Sequence, residues 1–383
     1  MKASDEKIVF LTGATGFVGR NLMARILNDK KSRLLVLIRA ADKEEASQRL
    51  LSIWQEIPQL SGLPDLFRRV EIICGDVSLP NLGIGKKLYD ETASKITHIL
   101  YCAATVKFNL PLECAKAANV AGTEYVSALA RRAMETGSFR MMSYVGTAFV
   151  SGDRPGIIYE DELDCGQRFE NSYEKTKFES EMLIRKLSGE IPIAVFRPSI
   201  IVGDSRTGVT SSFNVLYMPL RLIQSGLIKY LPGYASTRLD VVPVDYVCEA
   251  LTMVTFGCAN IAGKTFHLVA GEDNSPTARE IVRLAREYFD KAAPHRRVSE
   301  VTFLSTSQFQ NAKRSCSTRD RAILNAMDEY APYLCVQRSF DDANTRQALT
   351  ASGLKPPAFK DYYRNLLRYC LETDWGKRHR LAA

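Results

Sequence analysis

The reading of the fold turns on residues 7–29, "KIVFLTGATGFVGRNLMARILND". The first part, "KIVFLTG", is a short run of β-branched and aromatic residues halted by a glycine, as expected of a strand buried on both faces. The last part sets Val18, Leu22, Ile26 and Leu27 on one face of a helix. Between them Gly13, Gly16 and Gly19 give the spacing GxxGxxG. A glycine loop alone says little, but one that joins a first strand to a first helix is a dinucleotide-site signature. Gly13 permits the tight turn, Gly16 lets the backbone approach a pyrophosphate, and Gly19 lets the helix press on the sheet. The helix N-terminus offers unpaired N–H groups and a positive dipole end to the phosphates. Thr15, Phe17 and Val18 complete this group of candidate cofactor contacts.

Outward from this unit the same rhythm continues. "RLLVLIR" (33–39), "RVEIICGD" (69–76), "THILYCAA" (97–104), "FRMMSYVG" (139–146), "IPIAVFRP" (191–198) and "KTFHLVAG" (264–271) read as strands, with helices at 43–57, 111–136 and 172–188. Continuous apolar strands alternating with helices imply a parallel sheet covered on both faces, an α/β doubly wound (Rossmann) domain. We expect it to span residues 1–205, with the sheet completed by segments near 238–270. Residues 206–383 are then a smaller, mostly helical substrate-binding lobe with a C-terminal extension. Within it, 212–229 reads as an apolar helical stretch able to line an acyl tunnel or simply to pack in a core. Clefts between two such lobes are common substrate sites.

Composition narrows the class. The 383 residues are 46% hydrophobic and 25% charged, with 23 Gly and 15 Pro, as in ordinary globular proteins. The net charge of +8 suits phosphate-bearing small molecules and is too dispersed to suggest nucleic acid. The densest basic run, Lys377, Arg378, His379 and Arg380, reads as a frayed solvated tail. Nine scattered cysteines without a CxxC, and only four histidines, argue against a metal site and fit a reducing cytoplasm. The N-terminus leads straight into a strand with no secretory signal, and no apolar run reaches the ~18–20 residues that span a bilayer.

Further candidates sit at the strand ends. Arg39 ends the second strand, where an acidic residue would take the ribose hydroxyls of NAD and an Arg accommodates the 2′-phosphate of NADP. Arg39 therefore indicates NADPH. Arg49, some three turns into the next helix, is a second candidate unless it pairs with Glu45 one turn before it. Asp76 and Val77 end the third strand where an adenine amino group would lie. Ala103 and Ala104 end the fourth with side chains small enough for a ribose to rest on the backbone. The fifth strand delivers Thr147 to the carboxyl edge of the sheet. "NSYEKTK" (171–177) then places Tyr173 and Lys177 on one helical face at i, i+4. Alone, YxxxK is one turn of solvated helix. Downstream of a glycine loop and Thr147 it becomes a carbonyl-reducing site, in which an ammonium is expected to draw a phenol's pKa down from about 10.

At these residues the chain resembles an extended short-chain dehydrogenase/reductase, and within it the thioester reductase and fatty acyl-CoA reductase branch with its male-sterility-type NAD-binding domain. The resemblance covers roughly 7–270 and rests on "LTGATGFVG", "VLIRA", "GDVSLPNLGI", "AATVKFN", "ANVAGT", "GTAFVSG", "YEKTK", "RPSIIVGDSRTG" and "PVDYV". It implies a Thr147, Tyr173 and Lys177 catalytic set. It also matches Asn119 to an asparagine that helps hold a lysine-linked water, or else marks a helix bend. Pro198, Ser199 and Ile200 would lie along the nicotinamide. The implied reaction is NADPH-dependent reduction of an acyl thioester, on CoA or on the phosphopantetheine of an acyl carrier protein, to an aldehyde or onward to an alcohol.

Two positions depart from the pattern: Gly146 stands where Ser often precedes the Thr, and Tyr101 where His is common. The alternatives are a sugar-nucleotide epimerase or hydroxysteroid-type dehydrogenase on the same scaffold, and a non-catalytic NADP-binding regulator. Ala148 and Phe149, following Thr147 where a sugar dehydratase carries acidic residues, speak against a dehydratase. Oligomeric state is not legible.

Overall fold

The computed structural model describes residues 6–57, 60, 66–108, 110–213, 215–292, 298 and 300–380. Five of its strands in the first half are β1 (Lys7–Thr12), β2 (Ser32–Ile38), β3 (Val70–Cys74), β4 (His98–Tyr101) and β5 (Met141–Val145). The others are β6 (Gly156–Ile158), β7 (Ile193–Pro198), β8 (Ile200–Val202), β9 (Tyr230–Pro232), β10 (Val241–Pro243), β11 (Thr265–Leu268), β12 (Thr302–Leu304) and β13 (Arg338–Phe340). Every apolar run marked in the sequence as a strand joins one parallel sheet in the order β11-β7-β5-β4-β1-β2-β3. This is a doubly wound α/β fold. Its strands can be apolar throughout because helices cover both faces: Val9 and Leu11 face one core cluster and Phe10 the other.

Strand order reverses between β1 and β4, and ligands bind at the carboxyl ends of such a switch point. Here Thr12 closes the crevice floor. Its hydroxyl accepts from the Cys102 and Ala103 amides at 3.2 and 3.1 Å, holding the exit of β4 against that of β1.

The short strands β6, β8, β9, β10, β12 and β13 form three two-stranded parallel pairs outside the main sheet. Three residues are too few to show a period; only β10 falls in a segment expected to complete the sheet, near 238–270, and it pairs with β8 outside that sheet, which β11 completes instead. The expected helix over 212–229 is only Tyr217–Gln224. Gly226, at φ +67°, closes it with a turn that a helix cannot contain. The region after 276 is mostly helical, as expected, but carries β12 and β13 as well. At the C-terminus the basic run is a helical turn, Lys377–Arg380, behind the buried Trp375. The tail therefore holds structure as far as Arg380, where fraying was expected. A second core cluster unites the helices Tyr217–Gln224, Ala278–Ala292 and Phe359–Glu372 with β8 and β10. The C-terminal segments thus pack beside the sheet's carboxyl edge.

A buried ion pair joins these parts. Arg197 of β7 and Glu181 of the helix Ser172–Leu187 are both fully buried and meet at 2.6 Å. Arg197 also donates to the Glu162 carbonyl at 2.7 Å and bonds His267 Nε2 at 3.2 Å. The Asp341 carbonyl, 2.6 Å from His267 Nδ1, can only accept. Nδ1 therefore carries the ring proton, Nε2 accepts from Arg197, and burial pushes this histidine down to about 3. Removing one member of a buried pair strands a charge. We expect Glu181→Gln to lose roughly 3–5 kcal/mol in chemical denaturation. Replacing both partners, Arg197→Met with Glu181→Leu, should recover most of that loss.

Candidate active site

The glycine loop is built as a cradle. Gly13 adopts φ +70°, and a Cβ there would stand 2.8 Å from the Ala103 nitrogen, so the loop lies directly on the exit of β4. A Cβ on Gly19 would collide with the Gly13 carbonyl, which is how closely the helix Phe17–Leu27 presses on the turn. Gly16 differs: a Cβ would touch only the Gly13 carbonyl oxygen, at 3.2 Å, and the residue otherwise faces open space. It caps the helix without a side-chain hydrogen bond. The first amides of that helix therefore lack partners of their own and point toward the crevice, as pyrophosphate binding requires.

Across the cleft stand Thr147, Tyr173 and Lys177. Thr147 follows β5 in extended conformation and caps the short turn Ala148–Ser151. Tyr173 and Lys177 lie on the first turns of the helix Ser172–Leu187, whose start is set by the Asn171 side chain accepting from the Glu174 amide at 2.9 Å. Thr147, Tyr173 and Lys177 line one cleft of about 620 Å³ together with Gly13, Thr15, Gly16, Phe17, Val18, Gly19, Ala104, Pro198, Ser199 and Ile200.

The other candidates lie outside that lining. Ala103 is the wall under Gly13, and Val77 packs against Gly122. Asp76 accepts from Ser78 and lies 3.8 Å from the exposed Arg39 guanidinium. Arg49 donates to the Arg39 carbonyl, while Glu45, the partner expected for it, accepts from the Ala41 amide at 2.7 Å. Asn119 is buried. Its amide accepts from the Thr105 nitrogen at 2.9 Å and donates to Thr176 at 2.9 Å, stitching the helix Leu112–Glu135 to the helix Ser172–Leu187. The helix Leu112–Glu135 runs unbroken through it, so it does not mark the end of a helix.

The electrostatics correct one expectation. Burial pushes Tyr173 up to about 12, although its edge opens on the cleft; the Thr147 hydroxyl opposes the shift by hydrogen bonding. Lys177 contributes nothing resolved to that phenol. It donates to the Val145 carbonyl at 2.8 Å, sits 4.3 Å over the Tyr144 ring, and is drawn down to about 8 by desolvation, against the pull of Glu181. In the chain by itself the phenol is therefore a neutral proton donor, and acidification by the ammonium is not realised.

The two departures are also explained. At Gly146 a Cβ would stand 3.2 Å from Glu181 Oε2, so the buried carboxylate fills the room a serine would need. Tyr101 faces away from the cleft, in contact with Thr123 and the Tyr144 ring.

The family model described as male sterility protein, an NAD-binding domain, matches residues 11–251. This chain belongs to the male sterility protein family. Among its relatives, the fatty acyl-CoA reductase wat of Drosophila melanogaster is 27% identical over 318 residues, covering 74% of this chain and 61% of that protein. The nonribosomal peptide synthetase asaC of Aspergillus flavus is 30% identical over 279 residues, 70% of this chain and 26% of that protein. Of solved structures, the terminal R domain from the myxalamid PKS-NRPS biosynthetic pathway superposes with a TM-score of 0.82 at 25% identity, covering 97% of this chain and 92% of that one. The chain thus spans less than two thirds of the length of either curated relative. A nicotinamide dinucleotide is the cofactor class of this family, and the glycine cradle with its uncapped helix fits one.

The male sterility match ends at residue 251, yet the cleft does not. Glu329, Tyr330 and Tyr333 line it from the C-terminal region. Tyr333 donates to buried Glu174, the residue after Tyr173, at 2.7 Å. Its ring lies 6.1 Å from Phe108 and 5.0 Å from Phe149, and Phe108 in turn lies 5.9 Å from Tyr173. Asp240 was also missed. It takes the Ser199 hydroxyl at 2.5 Å and the Ala270 and Gly271 amides, while burial pushes it up to about 6. Neither residue carries a sequence signal, since both act across more than 30 residues. Among the described residues, no helix is long and apolar enough to cross a membrane.

Lys177 has a folded pKa below its unfolded value near 10.4. Between about pH 8 and 10.4 the unfolded chain therefore holds a proton that the folded chain has released, and stability should rise with pH in that window. Below pH 8 the folded state carries the whole cost of the buried ammonium. Relative to Lys177→Met, the wild type should gain roughly 3 kcal/mol between pH 7 and 10.5 in chemical denaturation.

Proposed function

We propose that this chain reduces acyl thioesters, borne on CoA or on the phosphopantetheine of a carrier protein, with NADPH, releasing an aldehyde and a free thiol. The observation that carries this reading is the single cleft onto which Thr147, Tyr173 and Lys177 face together with the glycine cradle and Pro198, Ser199 and Ile200. When bound, the reduced nicotinamide supplies a hydride to the carbonyl carbon. The chain's own residues do the rest. Thr147 and Tyr173 hold the carbonyl oxygen, so the electron pair displaced from C=O collects where two hydroxyls meet it. Tyr173 passes its proton to that oxygen, leaving a neutral hemithioacetal, and the Thr147 hydroxyl, which hydrogen-bonds the Tyr173 oxygen, stabilises the phenolate so formed, while Lys177, fixed on the Val145 carbonyl, anchors the helix that carries Tyr173. The hemithioacetal then loses the oxygen's proton as its C–S bond breaks, and the departing sulfur leaves as thiol. The balance is thioester, NADPH and one proton giving aldehyde, thiol and NADP⁺.

The relatives by name support a reductase of this kind. The fatty acyl-CoA reductase and the R domain of a synthetase pathway support the two thioester carriers, and the net charge of +8 suits an acidic one. NADPH rather than NADH is supported by Arg39, whose guanidinium stands exposed at the end of β2 with Asp76 as its partner at 3.8 Å. A 2′-phosphate would give it a stronger, bidentate partner. Arg49 supports this from behind by holding the Arg39 carbonyl. Asn119 acts here as a positioning residue, clamping Thr105 and the catalytic helix.

Two measurements test the reading. Purified protein given NADPH with acyl-CoA and acyl-carrier substrates should oxidise the cofactor and release aldehyde identifiable by mass. Tyr173→Phe should lose about 10²–10⁴-fold in rate. Turnover of UDP-sugars with none of thioesters would defeat it. For the cofactor, Arg39→Asp should lower kcat/KM for NADPH roughly 10- to 100-fold and leave that for NADH unchanged.

A further inference from the structure

Ser199 stands where the chain leaves the main sheet. Pro198 closes β7 inside that sheet, and Ile200 opens β8, which pairs with β10 outside it. Ser199 lines the cleft, yet its hydroxyl donates to buried Asp240 at 2.5 Å. Its amide donates to the Leu268 carbonyl of β11 at 3.2 Å, and the Ile200 amide donates to the Asp240 carbonyl at 3.3 Å. A residue at the crossing between two sheets is thus fastened by its side chain and by the backbone on either side.

Asp240, the residue before β10, gathers four donors on one carboxylate. Besides the Ser199 hydroxyl they are the Ala270 and Gly271 amides, at 2.8 and 3.1 Å, past the end of β11, and the Ser275 hydroxyl at 3.2 Å. Burial pushes the carboxyl up to about 6 and these donors oppose the shift, so near pH 7 it is ionised and can only accept. Among the described residues no ion pair supports this charge. Burying it is costly, and an apolar side chain would fill the same space at less cost. What the carboxylate adds is direction. Donors aimed at its two oxygens fix the Ser199 hydroxyl, and with it the turn of backbone at 198–200 that borders the cleft.

We propose that Asp240 is a positioning residue for hydride transfer: through Ser199 it holds the shelf 198–200 against which the nicotinamide is seated. The inference rests on the reductase reading and adds to it a residue that acts from outside the cleft lining, through another. Misplacing a reacting group by about 1 Å costs roughly 10²-fold in rate, so a shelf fixed from behind matters to the chemistry as much as the groups in front of it.

Four variants test this: Asp240→Asn, Ser199→Ala, the two combined, and Ser275→Ala. Ser275 gives the same carboxylate a hydrogen bond but lies outside the cleft lining, so it is the control for packing alone. With NADPH and acyl-CoA thioesters, Asp240→Asn should lower kcat roughly 10- to 100-fold and Ser199→Ala about tenfold, each at a thioester KM within about twofold of wild type. The combined variant should be no slower than Asp240→Asn, because both changes break one interaction. Ser275→Ala should keep the wild-type kcat. Independently of turnover, the fluorescence of NADPH bound to either single variant should shift toward that of free NADPH. If Asp240→Asn does not fold, Ser199→Ala against Ser275→Ala decides alone. A wild-type kcat in Ser199→Ala, an equal fall in Ser275→Ala, or bound-NADPH fluorescence unchanged in the variants overturns the inference and leaves the reductase reading standing. No turnover of any thioester by wild type defeats that reading and the inference with it.

Discussion

The fully buried pair of Arg197 and Glu181 is the constraint around which the active site is arranged. Arg197 is the penultimate residue of β7, immediately before Pro198, while Glu181 lies one turn after Lys177. Their contact sets the depth at which the catalytic helix crosses the sheet edge. The same carboxylate stands where a side chain on Gly146 would go, and so shapes the exit of β5 that delivers Thr147. On its far side Arg197 reaches His267 of β11, and beyond it Glu160 gathers the His267 and Asn344 amides and the Thr345 hydroxyl. Burying two charges gains little net stability. What this network provides is a single register between the helix, three strands and the C-terminal segment, because any slip would leave a charge or a donor unpaired.

Electrostatics follow from that depth. Lys177 is carried into protein with a carbonyl and an aromatic face as its nearest partners, so desolvation lowers it. Tyr173 lies shallower, opens on the cleft, and keeps its proton. A phenol that holds its proton until negative charge appears on a nearby oxygen suits a reduction, in which a proton must be delivered after a hydride.

The parts of the site that could be read in the sequence are those set by local spacing. Tyr173 and Lys177 share a helical face because 3.6 residues make a turn, and Gly13, Gly16 and Gly19 are spaced by the turn and helix they occupy. The seven sheet strands were legible because burial on both faces forces unbroken apolar runs. By contrast, Tyr333 enters the cleft from 160 residues beyond Tyr173, Asp240 holds Ser199 across 41 residues, and Asn119 reaches Thr176 across 57. No periodicity announces such meetings. The helix expected over 212–229 is shorter for a related reason: apolar composition there reflects burial in the core of the C-terminal segments, while the positive-φ Gly226 closes the helix just after Gln224.

By itself, then, the amino-acid order determined the doubly wound sheet, the dinucleotide cradle and the identity of the Thr, Tyr and Lys that face it, since each is written in spacings of one turn or one strand. The tertiary structure alone decided which protonation states burial imposes on those groups, that the Asn119 amide braces two helices, and that residues 329–333 complete the cleft. These depend on distances between segments far apart in the chain, where desolvation and long-range hydrogen bonds act and local spacing carries no information.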